Sequence, residues 1–264
     1  MFVHNLDPVF IDLGIISIRW YSLAYILGII LGWWVGKKII LRLKIHQKIN
    51  ISLSKFDDLI TYLVLSIILG GRVGYILFYN FQFYFENLIE IFKIWQGGMS
   101  FHGGLIGVIW ATYLFCKRNK IQIFATLDVI ACVAPIGLFF GRIANFINGE
   151  LYGKITSIYW GVIFPKIDGF TRHPSQLYEA ILEGLLLFII LNKIIMKKNY
   201  VVGTCSYMFL ILYGSFRIFA EIFREPDLQI GYLFDILSMG SFLSILMIVI
   251  GIILSYLKKN ENKY

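Results

Sequence analysis

The sequence predicts an all-α integral membrane protein with seven transmembrane helices and a small extracytoplasmic head. Composition gives the first reason: 58% of the 264 residues are hydrophobic and 15% are charged, whereas soluble domains carry about 25% charged residues. Apolar runs of about 20 residues, the length that crosses a bilayer as a helix, recur along the chain. The basic residues fall in alternate connections between these runs. We expect residues 1–264 to form one multi-pass membrane domain.

Seven apolar segments are predicted to be the transmembrane helices. They cover approximately residues 18–40, 57–79, 101–117, 124–146, 175–195, 203–223 and 232–257. The first contains Gly28, Gly32 and Gly36, and small residues at this spacing favour close packing of helices.

Two connections are predicted to form the head on the outer face. The first, about residues 80–98, has the pattern of an amphipathic or re-entrant segment, with Trp95 as an interfacial anchor. The second, about residues 147–174, is rich in aromatic residues and isoleucine and is expected to be ordered.

The distribution of lysine and arginine predicts the orientation in the membrane. Met1–Ser17 contains neither residue type, whereas the segment after the last apolar run contains Lys258, Lys259 and Lys263. The positive-inside rule therefore predicts an N-terminus outside and a C-terminus in the cytoplasm. The net charge of +8 reflects this topology, and no nucleic-acid partner is expected. No basic region precedes the first apolar run, so we expect that run to be retained rather than cleaved as a signal peptide.

Cysteine and histidine patterns give no indication of a metal site or a cofactor. The cysteines Cys116, Cys132 and Cys205 are isolated and are expected to be small buried apolar side chains. The four histidines are scattered, and no zinc, phosphate-loop or dinucleotide motif occurs. We therefore expect neither a metal nor a cofactor.

The motif GRIANFINGELYG, residues 141–153, places polar groups directly after an apolar run. If the helix continues through Phe146, Arg142 and Asn145 share one face. A guanidinium beside an amide can clamp a phosphate, because arginine presents several donors in one plane. Alternatively, Arg142 extends to the membrane interface or pairs with Glu150.

The motif YGSFRIFAEIFREPD, residues 213–227, carries a polar stripe on an apolar helix. Tyr213, Arg217, Glu221 and Arg224 are spaced so that they lie along one face. Such a face is expected to contact protein or a polar cavity rather than lipid. Arg217 and Glu221 are expected to form an ion pair, which could be functional or could simply hold two helices together.

Two further motifs carry candidate polar groups. In GGMSFHGG, His102 is either a general base or a hydrogen-bonded structural residue. Arg72 lies in GGRVGY, and Glu179 and Glu183 lie in RHPSQLYEAILEG. We interpret these three mainly as polar groups of the scaffold.

Taken in order, six motifs resemble the prolipoprotein diacylglyceryl transferase family over nearly the whole chain. They are RWYSLAY, LGGRVGYILFYN, GGMSFHGGLIGV, GRIANFINGELYG, RHPSQLYE and YGSFRIFAEIFREPD. Ala144 stands where the family usually has glycine, and the connection between Gly153 and Arg172 is short for the family. The resemblance implies seven transmembrane helices, a periplasm-facing head and a central lipid-accessible cavity.

The resemblance also implies an activity in the bacterial cytoplasmic (inner) membrane. The family transfers the diacylglyceryl group of phosphatidylglycerol, a membrane lipid, to the lipobox cysteine at the prolipoprotein signal peptide. Arg142 and Arg217 would hold the phosphodiester, and His102 would accept the thiol proton with Tyr21 and Tyr213 as helpers. The remaining substrate-binding residues would be Asn145, Glu150, Gly153, Glu221 and Arg72.

Two other functions remain open from the residues alone. Arg142, Arg217 and Glu221 could line the path of an anion transporter or channel. The absence of an internal repeat speaks against a transporter built from duplicated halves. A lipid-binding scaffold would bind phosphatidylglycerol without forming a thioether.

Overall fold

The computed structural model describes residues 2–14, 17–93, 97–225, 232–233 and 237–261. The predicted interfacial anchor Trp95 lies outside these residues, as does part of the beginning of the seventh predicted span. Within them the chain is mainly helical, and short strands occupy some of the connections.

Nine α-helices are found in the described part of the chain. They are α1 Trp20–Ile45, α2 Leu53–Tyr79, α3 Phe81–Glu86, α4 Phe101–Asn119, α5 Ile123–Asn148, α6 Ser175–Glu179, α7 Leu187–Ile195, α8 Thr204–Glu221 and α9 Met239–Glu261. A π-helical turn, Ala180–Leu186, joins α6 and α7, and a 3₁₀ helix, Leu88–Phe92, follows α3. Each predicted span therefore overlaps a long helix or the continuous α6–α7 segment.

Four helices in the described residues are long and apolar enough to cross a membrane. They are Trp20–Ile45, Leu53–Tyr79, Ile123–Asn148 and the part Met239–Lys258 of α9. This result supports a multi-pass membrane protein, and the count of seven spans stays a prediction.

Two of the short strands lie in the connection 147–174, which was predicted to form part of the head, and the others lie elsewhere in the described chain. The strands are β1 Phe2–Val3, β2 Val9–Asp12, β3 Ser17–Arg19, β4 Val162–Ile163, β5 Thr171–Arg172, β6 Tyr232–Leu233 and β7 Leu237–Ser238. The strand β4 pairs in parallel with β1 and antiparallel with β5. The connection at 147–174 is thus ordered by pairing with the N-terminal segment.

The chain divides into two compact units. The first comprises Met1–Gly36 and Ile130–Tyr264, and the second comprises Lys37–Val129. The single membrane domain expected from the sequence stays a prediction.

Glycines hold α2 and α4 together in the second unit. A Cβ atom on Gly74 would lie 2.5 Å from the Cα atom of Gly103, and one on Gly70 would lie 3.1 Å from the Cα atom of Gly107. Side chains at these positions would force the two backbones apart. Gly103, the glycine directly after His102, therefore serves helix packing.

Glycines also permit close helix contacts within the first unit. A Cβ atom on Gly28 of α1 would lie 2.9 Å from the Cα atom of Gly137 in α5, so the close packing predicted for Gly28 is confirmed. On α8, a Cβ atom on Gly214 would lie 2.8 Å from the carbonyl oxygen of Ser244 in α9.

All three cysteines are buried and none forms a disulfide. Cys116, Cys132 and Cys205 each have 0% relative exposure, as the sequence predicted.

Candidate active site

The polar stripe that begins on α8 is largely buried against protein, as its spacing predicted, and Glu221 alone of its four residues is partly exposed. Tyr213 is 1% exposed and stacks on Phe209 one helical turn away. The expected ion pair between Arg217 and Glu221 is present, with 2.8 Å between Nη2 and Oε2. Arg224 lies just after α8 and is also buried. An apolar helix can carry these groups because its polar face contacts other polar side chains rather than lipid.

Arg142 lies on α5, which continues through Asn148 as the GRIANFINGELYG interpretation requires. Its Nη1 atom is 2.8 Å from Oε2 of Glu179, and its Nη2 atom is 3.0 Å from Oε2 of Glu183. Both carboxylates have no exposed side-chain surface. The alternative that paired Arg142 with Glu150 is therefore replaced by two partners from a different helix.

Glu179 links the two arginines that the sequence proposed as a phosphate clamp. Its Oε2 atom is 2.9 Å from Nη1 of Arg217 as well as 2.8 Å from Nη1 of Arg142. Its Oε1 atom is 3.4 Å from Nη1 of Arg224. The six side chains form what we call the arginine–glutamate cluster: Arg142, Glu179, Glu183, Arg217, Glu221 and Arg224.

A π-helical turn and a glycine bring Glu183 into the cluster. The turn Ala180–Leu186 has a wider repeat than an α-helix, and such insertions are frequent at functional sites. A Cβ atom on Gly184 would lie 2.7 Å from the Cα atom of Phe139 in α5. The missing side chain lets the turn approach the helix that carries Arg142.

A second set of polar contacts, separate from the arginine–glutamate cluster, joins the end of α5 to Glu150. Asn145 and Asn148 donate to the Glu150 carboxylate at 3.4 Å and 3.2 Å. The Gln176 side chain donates to the Glu150 carbonyl at 2.6 Å. Because Gln176 belongs to α6, these bonds tie the GRIANFINGELYG motif to the helix that carries Glu179.

Gly153 occupies a position without room for a side chain. Its N–H donates to the carbonyl of His173 at 3.0 Å, and a Cβ atom would lie 2.6 Å from the carbonyl oxygen of Phe223. Its own carbonyl accepts from Arg172 Nη1 at 2.9 Å. The predicted site glycine thus joins the head to the segment after α8.

Arg172 organises the head by binding two carboxylates. It pairs with Asp168 and, at 3.1 Å, with Glu225, and its guanidinium stacks 4.8 Å from the ring centre of Tyr152. The hydrogen bond from Arg172 holds the pKa of the Asp168 carboxyl below its usual value, and the same bond raises the pKa of Arg172. Burial, with the nearby Lys154, lowers the pKa of His173.

The tyrosines expected to assist catalysis lie in the first unit. Tyr21 is near the beginning of α1, and its hydroxyl accepts a hydrogen bond from Tyr25 at 3.2 Å. Tyr213 is within electrostatic range of Glu183, Arg142 and Arg217.

Arg72 and His102 belong to the second unit. The Arg72 guanidinium donates to five backbone carbonyls, at distances from 2.5 to 3.3 Å, those of Glu90, Ile91, Lys93, Gly97 and Gly98. His102 is buried in the first turn of α4, and its ring contacts Phe101 edge-on. The substrate-binding role of Arg72 and the catalytic role of His102 stay predictions.

Glu179 and Glu183 were assigned to the scaffold by the sequence, but they are the partners of both clamp arginines. The spacing of four residues between Glu179 and Glu183 places them on one face, and this spacing was the one sequence feature that could have indicated their shared role.

Among the described residues no group of three histidine, cysteine, aspartate or glutamate side chains could hold a metal.

The arrangement is suited chemically to binding an anion. Arg142 and Arg217 extend from two helices toward the same carboxylate oxygen. A phosphate oxygen makes equivalent charge-assisted hydrogen bonds to guanidinium groups. The apolar helices and the cluster together define a multi-pass membrane protein with a buried, charged site.

The chain belongs to the prolipoprotein diacylglyceryl transferase family, whose profile matches residues 8–257. The protein is therefore a transferase. Similar proteins named phosphatidylglycerol--prolipoprotein diacylglyceryl transferase occur in Rickettsia. The Rickettsia bellii (strain OSU 85-389) protein is 52% identical over 254 residues, 95% of this chain and 94% of its own. The Rickettsia felis protein is 52% identical over 262 residues, 98% of each chain.

Proposed function

We propose that the protein transfers the diacylglyceryl group of phosphatidylglycerol to the thiol of a lipobox cysteine in a prolipoprotein. The products are a thioether and glycerol phosphate, in the first step of bacterial lipoprotein maturation. Family membership and the names of relatives that share about half of their residues with this chain support the reaction.

One observation carries the assignment of the lipid phosphate to the arginine–glutamate cluster. The Nη1 atoms of Arg142 and Arg217 lie 2.8 and 2.9 Å from the same Glu179 oxygen. Two guanidinium groups around one anionic oxygen form a site into which a phosphate oxygen can enter. As the C–O bond breaks, charge develops on the leaving phosphate, and fixed cations stabilise it.

The other predicted residues are assigned roles around this clamp. Glu221 holds Arg217 by an ion pair, and Asn145 with Glu150 orients the glycerol headgroup. Gly153 fixes the adjoining backbone, and Tyr21 and Tyr213 assist as hydrogen-bond donors. The thiol is mostly protonated at neutral pH, so its reaction requires a base or a cationic environment.

We place the protein in the bacterial inner membrane with seven transmembrane helices, the N-terminus outside and the C-terminus in the cytoplasm. The head, formed by residues near 80–98 and 147–174, then faces the periplasm. The four strongly apolar helices and the lysines at the C-terminal end of α9 support this placement.

The test is transfer in vitro by purified protein in detergent. Phosphatidylglycerol and a lipobox peptide with a free cysteine are supplied, and mass spectrometry detects the diacylglyceryl peptide. Arg142→Ala and Arg217→Ala should each lower the rate by about 100-fold or more, because fixed donors contribute this much to transition-state stabilisation. Arg118→Ala, which removes an exposed arginine at the end of α4, is the matched control.

Each alternative predicts a different result. Near-normal transfer by folded Arg217→Ala protein would contradict the two-arginine clamp. Lipid binding without any adduct from the wild type would favour the scaffold, and anion uptake into liposomes without lipid turnover would favour the transporter.

The variant His102→Gln in the same assay tests whether His102 is the base that accepts the thiol proton. Near-normal transfer by that variant would remove His102 from this role.

A further inference from the structure

Glu183 differs from the other carboxylates of the cluster in how it is paired. Glu179 lies within 3.4 Å of three arginines, and Glu221 is 2.8 Å from Arg217. Glu183 has one close cation, Arg142 at 3.0 Å, and Arg217 at 3.9 Å from its Oε1 atom. Within the described residues, the Glu183 Oε1 atom has no hydrogen-bond partner, and neither have the Oε2 atoms of Glu179 and Glu221. Those two Oε2 atoms each lie 2.8 Å from an arginine nitrogen, so Glu183 Oε1, at 3.9 Å, has the weakest ion pairing of the three.

The formal charge of the cluster is balanced before any lipid binds. Its three arginines and three glutamates sum to zero. The phosphodiester of phosphatidylglycerol adds one negative charge. An uncompensated charge in a buried, membrane-embedded site is unfavourable, so binding must be accompanied by a cation or a proton. Among these carboxylates, Glu183 is the best placed to take a proton. Glu179 lies against three arginines, and Glu221 has one close cation but keeps 12% of its side-chain surface exposed, whereas Glu183 is fully buried with one close cation.

The groups that face Glu183 come from three helices. They are Arg142 from α5, Glu179 from α6, and Tyr213 and Arg217 from α8. Glu179 repels a second negative charge nearby, and the two arginines attract it. An incoming phosphate competes for the same two arginines. Its arrival therefore weakens the interactions that keep Glu183 ionised.

We propose that Glu183 is a further catalytic residue, which takes up a proton when phosphatidylglycerol binds and passes it to the leaving phosphate. The protonated carboxyl donates a hydrogen bond to a phosphate oxygen of the lipid. The inference rests on the proposed function, because it assumes that the phosphate lies between Arg142 and Arg217.

Atoms and charges balance in this step. The sulfur–carbon bond forms as the carbon–oxygen bond to phosphate breaks, and the thiol proton goes to a base. The departing phosphate monoester would carry two negative charges. The Glu183 proton moves to one of its oxygens, so glycerol phosphate leaves as a monoanion. Glu183 returns to the ionised form beside Arg142, and the next proton comes from water.

The first experiment measures proton uptake on lipid binding. Short-chain phosphatidylglycerol is titrated into detergent-solubilised protein in buffers of different ionisation enthalpy near pH 7. The wild type should take up about one proton per lipid. Glu183→Gln should take up none, and its affinity should depend little on pH, because the amide donates a hydrogen bond without titrating. Glu86→Gln, at an exposed position in α3, should behave as the wild type does.

Short-chain phosphatidylcholine, which carries no net charge, is the control ligand matched to short-chain phosphatidylglycerol. Its binding should take up no proton with either protein, and it also reports whether the variant is folded. Proton uptake by the wild type that persists in Glu183→Gln would overturn the proposal. So would the absence of uptake by a wild type that binds phosphatidylglycerol, and this measurement needs no variant.

The second experiment separates binding from turnover. Glu183→Gln should bind phosphatidylglycerol with nearly normal affinity at low pH, while kcat falls by about 100-fold, as expected for the loss of a general acid. Normal kcat in this variant would overturn the catalytic role. Proton uptake by a wild type that forms no thioether would instead contradict the proposed function and leave the proton linkage intact.

Discussion

At the scale of the residue, the arginines Arg72 and Arg142 have opposite kinds of partner. An arginine side chain has five N–H donors, and those of Arg72 meet five backbone carbonyls. Arg142 instead meets carboxylates, whose charge and geometry resemble those of a phosphate. An incoming phosphate can exchange with a carboxylate far more readily than with carbonyls that belong to a folded segment. Arg72 is accordingly suited to fixing the segment before α4.

The prediction at this scale concerns Gly153. A Cβ atom there would lie 2.6 Å from the Phe223 carbonyl oxygen. Gly153→Ala must therefore separate the head from the segment after α8 and should destabilise the protein by about 1–3 kcal/mol. Transfer activity should fall with it, since Arg224 of the cluster pairs with Gly153.

The matched control is Gly141→Ala, because a Cβ atom on Gly141 would meet open space. Alanine in the helix interior is favoured over glycine by about 1 kcal/mol. Thermal unfolding in detergent compares the two variants. Equal melting temperatures would contradict the steric argument.

At the scale of the element, the sequence predicted the helix that carries Arg142 and the buried stripe of α8. Both follow from periodicity within one segment. It did not predict the pairing of Glu179 and Glu183 with both arginines, because that depends on how separate helices are rotated against each other. The π-helical turn depends in the same way on packing of Gly184 against Phe139. The carbonyl partners of Arg72 carry no side-chain signature and could not be found by any residue pattern.

The prediction at this scale tests the glycine contacts between α2 and α4. A Cβ atom on Gly103 would lie 2.7 Å from the Cα atom of Gly74, whereas one on the adjacent Gly104 would lie 3.7 Å from its nearest neighbour atom. Gly103→Ala should cost about 1–3 kcal/mol by overpacking, and Gly104→Ala should leave stability nearly unchanged. Melting temperatures of the two variants in the same detergent make the comparison. A lower melting temperature for Gly104→Ala than for Gly103→Ala would contradict the packing described.

At the scale of the whole molecule, composition predicted the membrane environment and charge distribution predicted the orientation. The expected seven spans overlap helices, but four of these reach the length and hydropathy required for a clear assignment. Polar stripes explain part of this difference, because Arg217 and Glu221 lower the mean hydropathy of α8. The short strands of the head could not be foreseen, since segments of two residues have no detectable periodicity.

The prediction at this scale is the orientation of the two ends. A peptide tag at the C-terminus should be cleaved by protease in inside-out vesicles and protected in right-side-out vesicles. A tag at the N-terminus should show the reverse pattern. The physical reason is the excess of lysine at the C-terminal end of α9 and its absence before α1. Protection of both tags in the same type of vesicle would contradict an odd number of spans.

The burial of the three cysteines affects which thiols the enzyme can modify, those of its substrate or its own. A transferase that alkylates thiols would be at risk from any accessible thiol of its own, but Cys116, Cys132 and Cys205 have no exposed surface. The folded enzyme is thereby protected from self-modification. A water-soluble maleimide should in turn distinguish the reaction partners, labelling the unmodified precursor peptide while leaving the native enzyme unlabelled.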